Sequence, residues 1–569
     1  MPSIAPFETE FAHNIYKQRY QHPTDGDWAG TAKRVATVPM AALERATGRN
    51  LDRETQDVYD LFKDRKALPG GRYLYATGRE LHQVNNCVLL RCDDSREGWA
   101  SLSYRAEMAL MTGAGIGVYY GDVRPGGSVI QKTGGIASGP LPKMQQVNET
   151  GRHTMQGGNR RSAIWAGLPW WHADIFDFIN IKDWSDEVKA LKAKDWTFPA
   201  PMDMTNISVC LDDDFFTAYT APESDEAHPW IHGTPFAPDG TAWEVWAKRV
   251  YDTAVEHMLK HGEPGFSIDL GDKSDEVLRN ACTEITSADD SDVCNLASLV
   301  LPRFDTPEEF GKAVKVMAIF LTAGSVYSDT PYEKIVDIRN KNRRLGLGLI
   351  GVHEFCMKHG VKYGTEECFD VLRPYMEEYG RALEYANAFQ SDVGISLSIG
   401  ATAIAPNGTI GIIAESTPSA DPLFSAAERR EVKVAHHSGN DEFTSHIVVD
   451  PVAKRLLEEG VPANLIEDAY TLSYDPERRF AMTAFLQQYV DHAISGTVNL
   501  PAVVEDPDEA KEFGDILFKY LPKMRGITVY PDGARAGQPR TSVPLEWAIA
   551  NEGEVYTEEE TCVGGACGV

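Results

Sequence analysis

An α/β fold built on parallel strands is predicted by three observations. Glycine-rich turns and short apolar strands recur from Leu68 to about Tyr530. They alternate with amphipathic stretches long enough for several helical turns, the pattern of βα units. The length, 569 residues, suits one large catalytic domain with terminal appendages, because α/β barrels with insertions reach this size. A barrel and an open sheet both satisfy this pattern.

Taken in order, residues 1–67 alternate polar-rich helical patterns, such as Glu54–Lys66, with turns, and form a small helical cap. Residues 68–545 make the main domain. Its expected strands include Asn206–Leu211, Gly265–Leu270 and Gly526–Tyr530, and its expected helices Thr241–His261, Glu308–Tyr327, Glu366–Gln390 and Pro476–Ser495. Residues 546–569 turn acidic through Glu552–Glu560 and end in Cys562-Val-Gly-Gly-Ala-Cys567-Gly-Val, too poor in apolar side chains to join a core and expected to be flexible. No repeat suggests a solenoid or propeller.

Hydrophobic residues at 43% and aromatics at 10% are enough for a sizeable core. A formal charge of −29 argues against nucleic acid and anionic membranes as partners, since phosphate neutralisation needs clustered Lys and Arg. The start, Met1-Pro-Ser-Ile-Ala-Pro, lacks the marks of a signal peptide, and the apolar stretch Val316–Tyr327 is too short to span a bilayer. A cytoplasmic protein is expected, whose nine cysteines are free thiols, metal ligands or catalytic groups.

Four constellations carry chemistry. Cys562 and Cys567 flank a flexible spacer. They read as half of a zinc site, an incidental exposed pair, or a swinging dithiol that trades electrons with a buried disulfide. In Asn280-Ala-Cys282-Thr-Glu284 alternate residues of an extended segment share one side, so Asn280, Cys282 and Glu284 face a single pocket; Cys294 follows. Asn85-Asn86-Cys87 heads an apolar strand after Leu68-Pro-Gly-Gly-Arg72. Alone, Cys87 reads as a buried structural cysteine, as do Cys92, Cys210, Cys356 and Cys368. Finally, Ala405-Pro406-Asn407-Gly408-Thr409-Ile410 opens a helix whose free N–H groups suit a phosphate in an acidic protein, a plain turn being the bland alternative.

In this order the elements resemble the large subunit of ribonucleotide reductases, from about Tyr16 to the last residue. Further similarities are Gly113-Ala-Gly115-Ile-Gly117, Thr133–Gly139, Gln156–Arg161, Arg344-Leu-Gly-Leu-Gly348 and Ile494–Pro501. The resemblance implies a ten-stranded α/β barrel of two parallel five-stranded halves, with a central finger loop whose cysteine, here Cys282, carries a thiyl radical. Glu284 is then the general base on the ribose 3′-hydroxyl, and Asn280 hydrogen-bonds the sugar. It implies that Cys87 and Cys294 become a disulfide as they reduce the substrate. Cys562 and Cys567 restore that pair, and a thioredoxin-like donor reduces the tail. Pro406, Asn407, Gly408, Thr409 and Ile410 would hold substrate phosphates, and Gly115 would admit the substrate near Asn86. Asp94, Arg124 and Lys132 fall where the family binds a deoxynucleoside triphosphate effector, although the family's second basic position is Gln131. The segment Gln156–Leu168 corresponds to the loop that links effector to substrate. A ribonucleoside diphosphate is the favoured substrate, and a homodimer the favoured assembly.

The same resemblance bears on the radical source. Members that use a separate metal-containing subunit carry adjacent tyrosines near the end of the barrel, where this sequence reads Tyr530-Pro531, and no glycyl-radical segment is present. The adenosylcobalamin-dependent class remains, the alternative being an α subunit that needs a separate radical-generating subunit. No ATP-cone is expected ahead of the cap, hence specificity regulation without dATP shut-off.

Overall fold

The computed structural model describes residues 5–154, 162–195, 197–222, 230–437, 440–532, 540–551 and 555–557. One 10-stranded sheet carries the fold. Besides the short strand Ala67–Pro69, it contains β1 (Cys87–Arg91), β2 (Gly115–Tyr119), β3 (Ile164–Pro169), β4 (Thr205–Leu211), β5 (Gly265–Ile268), β6 (Asp292–Val300), β7 (Leu345–Ile350), β8 (Thr497–Leu500) and β9 (Gly526–Pro531).

β1 to β5 pair side by side in parallel and form one half-barrel. In the other half β6 pairs parallel with β7, and β8 with β9. Residues 401–405 supply the stave between them. Ala403 N donates to Leu347 O at 2.9 Å on one side, and Ser495 N to Ile404 O at 2.8 Å on the other. The halves meet antiparallel at both seams, β1 against β6 and β5 against β9. The barrel is therefore closed, as the resemblance implies. Its strands are apolar runs because parallel strands are covered on both faces: every residue of β3, β6 and β7 is buried.

The N-terminal cap comprises the helices Glu10–Arg19, Trp28–Thr47 and Asp52–Lys63. Their apolar faces share one core with the helix Pro307–Tyr327. That helix is long and apolar enough to cross a membrane, contrary to the shorter stretch read from the sequence, but 72% of its apolar window is buried inside the fold, as in a core helix. The expected helix Glu366–Gln390 is two, Glu366–Tyr379 and Ala382–Asp392, separated at Gly380 and Arg381. Pro476–Ser495 ends at Gln487, since residues 493–495 are needed as barrel backbone.

A helix, Leu545–Ala550, runs across the expected 545/546 boundary, and Val555–Thr557 pairs with the long hairpin Ala427–His437 and Asn440–Val449 in a separate four-stranded sheet. Backbone pairing there needs no apolar side chains, which is why composition missed it. Cys562 and Cys567 lie outside the described residues, as does the 156–161 portion of the expected linking loop.

Candidate active site

The strands Leu278–Arg279 and Thr286–Ser287 pair antiparallel and form a hairpin inside the barrel. Its tip, residues 280–285, is fixed by its own hydrogen bonds: Thr283 N donates to Asn280 O at 3.1 Å, and Ile285 N to the Asn280 side-chain Oδ1 at 3.0 Å. Thr283 takes a left-handed φ of 69° to close the turn. The loop fits because β2 is stripped of side chains where it passes. A Cβ on Gly117 would stand 1.9 Å from Arg279 O, and one on Gly115 would stand 2.9 Å from the Ala281 Cβ. Gly115 therefore lies directly against the finger loop at Ala281.

Cys87 and Cys294 are direct partners across the antiparallel seam between β1 and β6. Opposed residues in such a ladder have Cα atoms about 4.5–5.5 Å apart, within the range a disulfide spans. Asn280 Nδ2 donates to Cys87 Sγ at 2.9 Å, which ties the finger loop to the pair. Asn86 N donates to Cys294 O at 3.1 Å, and the buried Asn86 Oδ1 has no partner. Burial, then the charge of Glu284, pushes both thiols well above the ordinary cysteine range, so both keep their protons at neutral pH. Cys282 alone of the three is half-exposed. Glu284 is sealed, its Oε2 unpartnered, and burial pushes its carboxyl up to about 7 against the hydrogen bond from Asn280 that opposes the rise.

The site therefore assembles three thiols, an amide and a carboxyl poised between acid and base. That combination suits hydrogen-atom transfer at one thiol and two-electron reduction at a facing dithiol.

Sequence reasoning missed what holds the finger loop. Beneath it lies a buried ionic network: Arg344 pairs with Asp292 at 2.7 Å and with Glu276 at 3.0 Å. Arg525 bridges Glu276 and Asp269, each at 2.8 Å, and Arg279 meets Asp269 at 2.6 Å. Arg344 and Arg525 hold the Glu276 carboxyl far below the usual range despite its burial. The only signal was Arg344 at the head of a glycine-rich strand.

Asn407, Gly408, Thr409 and Ile410 open the helix Gly408–Ala414, with Pro406 just ahead. Asn407 does not cap it. Its Nδ2 donates to Ser298 Oγ at 3.0 Å and to Leu349 O at 3.2 Å, leaving the first turn without a side-chain cap. A side chain on Gly408 would meet nothing within 4 Å. Asp94 and Arg124 come together on the surface, Arg124 Nε donating to Asp94 Oδ2 at 2.7 Å. Lys132 stands exposed in the turn of a small hairpin between Val129–Ile130 and Gly135–Ile136. Cys92, Cys210, Cys356 and Cys368 are buried, as structural cysteines should be.

Comparison with known proteins agrees with this arrangement. The family model described as "Ribonucleotide reductase, barrel domain" matches residues 85–389 and 393–521. A vitamin B12-dependent ribonucleoside-diphosphate reductase of Mycobacterium tuberculosis (strain CDC 1551 / Oshkosh) is 26% identical over 550 residues, covering 89% of this chain and 76% of that protein. A protein of the same name from Thermoplasma acidophilum is 24% identical over 532 residues, 86% of this chain and 66% of that one. Among solved structures, the α subunit of the Actinobacillus ureae class Id ribonucleotide reductase superposes with a TM-score of 0.69 at 14% identity, covering 92% of this chain and 97% of that chain, a likeness of fold. With the closed barrel, the finger loop and the cysteine pair in place, the match over most of its length establishes that this chain belongs to the ribonucleotide reductase barrel-domain family.

Proposed function

We propose that the chain reduces ribonucleotides, ribonucleoside diphosphates foremost, to 2′-deoxyribonucleotides in the cytoplasm, with adenosylcobalamin as the radical source. The observation that carries this reading is the cross-strand pair Cys87 and Cys294 facing the finger loop of Asn280, Cys282 and Glu284.

The residues at the loop tip fit the cofactor. Cys282, the thiol that must yield its hydrogen atom, is the only one of the three that is partly exposed, while the reducing thiols are buried. The one tyrosine of the barrel's last strand, Tyr530, is followed by Pro531 in place of a second ring. Cys282 and Thr283 would meet the adenosyl end. When bound, adenosylcobalamin supplies the homolysis that removes a hydrogen atom from the Cys282 thiol.

The Cys282 thiyl then takes the 3′-hydrogen of the ribose while ionised Glu284 accepts the 3′-hydroxyl proton. The 2′-hydroxyl leaves as water. Cys87 and Cys294 deliver two electrons and two protons and end as a disulfide; Cys282 returns its hydrogen to C3′ and Glu284 its proton to the 3′-oxygen. The barrel fixes all these groups before substrate arrives, so little ordering is left to the reaction itself. Substrate phosphates rest on the amides of Gly408, Thr409 and Ile410, beside Pro406 and Asn407. Cys562 and Cys567 reopen the disulfide by exchange and are themselves reduced by a thioredoxin-like protein. A deoxynucleoside triphosphate effector binds at Asp94 and Arg124, with Lys132 near its phosphates, in a homodimer.

The test is CDP and CTP reduction by the purified protein with dithiothreitol and a dNTP effector, in the dark, with and without adenosylcobalamin. Activity only with the cofactor is expected. Activity that appears only when a separate metal-containing subunit is added would overturn the cobalamin assignment.

A further inference from the structure

The helix Trp243–His261 belongs to the outer layer of the first half-barrel, and its last turn presents His257 and His261 four residues apart, on one face. Asp183 comes to the same place from the loop after the turn Asn180–Lys182. Its Oδ1 stands 3.2 Å from His257 Nδ1 and 3.2 Å from His261 Nε2, and the three ligand atoms all lie within 4.8 Å of one another. We infer that Asp183, His257 and His261 form a binding site for one divalent transition-metal ion of the zinc type.

The two carboxylate–imidazole distances are those of neighbouring ligands around such an ion. At metal–ligand distances of about 2.1 Å and tetrahedral angles, two ligand atoms stand roughly 3.3 Å apart. Two imidazoles and one carboxylate favour zinc-like ions over calcium or magnesium, which take oxygen ligands. The side chains are 15%, 30% and 43% exposed for His257, His261 and Asp183, so an ion can enter and water can complete its coordination. Both supports are anchored by backbone hydrogen bonds. Asp183 N donates to Asn180 O at 2.9 Å, and Gly262, with a left-handed φ of 77°, ends the helix by donating to Met258 O at 2.9 Å. An ion here fastens the loop to the helix end that leads into β5, and it takes no part in the chemistry at Cys282. A metal held by the native but not the unfolded chain raises stability.

The experiment uses the full chain, stripped of metal and carrying Cys562→Ser and Cys567→Ser so that tail thiols do not compete. Zinc binding is measured by calorimetry and thermal unfolding with and without zinc. The expected result is one equivalent of zinc bound and a higher Tm with zinc, both lost in His257→Ala and in the size-conserving Asp183→Asn. If the substituted proteins bind as much zinc as their parent and show the same thermal response, Asp183 is simply ion-paired with two histidines and the site is refuted. Asp183→Asn keeps the test decisive if His257→Ala does not fold.

Discussion

Replacing Glu284 with glutamine should stabilise the protein in alkaline solution while abolishing its chemistry. Burial lifts this carboxyl to about 7 from 4.5. Below pH 4.5 folded and unfolded chains both hold the proton. From there to about 7 the unfolded chain releases a proton that the folded chain keeps, so stability falls as pH rises, and the full cost applies above about 7. It amounts to roughly 3 kcal/mol. With an unfolding entropy of about 2.1 cal/mol/K per residue over 569 residues, the full cost moves Tm by about 2.5 °C, part of it already present at about pH 5. The assay is thermal unfolding of wild type and Glu284→Gln at about pH 5 and about pH 8.5. The constant packing cost of glutamine cancels in the pH comparison, so the variant should gain about 2 °C on wild type between the two conditions. A difference that does not change with pH, or that shrinks, would refute the reasoning. In wild type, single-turnover reduction should rise with pH through about 7 as Glu284 ionises into a base, and Glu284→Gln should show none.

Three further outcomes are expected. Arg344→Met leaves Asp292 and Glu276 short of their buried partner, so denaturant unfolding should show a loss of about 3–5 kcal/mol. Gly117→Ala drives a methyl into Arg279 O; turnover should vanish, and a stability loss of about 1–3 kcal/mol should appear in the same unfolding assay. Asp94→Ala should weaken deoxynucleoside triphosphate binding, measured by equilibrium dialysis, by roughly tenfold, the worth of one hydrogen bond to a charged group, without changing turnover of a saturated substrate.

The alternation of strand and helix made the α/β class legible from residues alone, but barrel closure was not. It depends on residues 401–405, whose strand character is set by hydrogen bonds to Leu347 on one side and to Ala493 and Ser495 on the other rather than by local propensity. The cysteines were legible as individuals and in their order. That Cys87 faces Cys294 follows from a register between strands far apart in the chain, which no local pattern encodes. The network under the finger loop was invisible for the same reason, since Asp269, Glu276, Asp292, Arg344 and Arg525 come from separate segments and each alone reads as a surface charge. Gly115 was read as a glycine that gives access; that Gly117 makes room for the protein's own finger loop was not legible, because Arg279 comes from a distant segment.

The central claim is that Cys87 and Cys294 supply the electrons while Cys282 supplies the radical. Its most direct test is a single turnover of CDP by the Cys562→Ser/Cys567→Ser protein, with adenosylcobalamin and effector but no external reductant, followed by alkylation and disulfide mapping. About one dCDP per active chain, matched by an equal amount of the Cys87–Cys294 disulfide with Cys282 recovered as a free thiol, is the predicted result. Formation of dCDP with Cys87 and Cys294 both still reduced would contradict it.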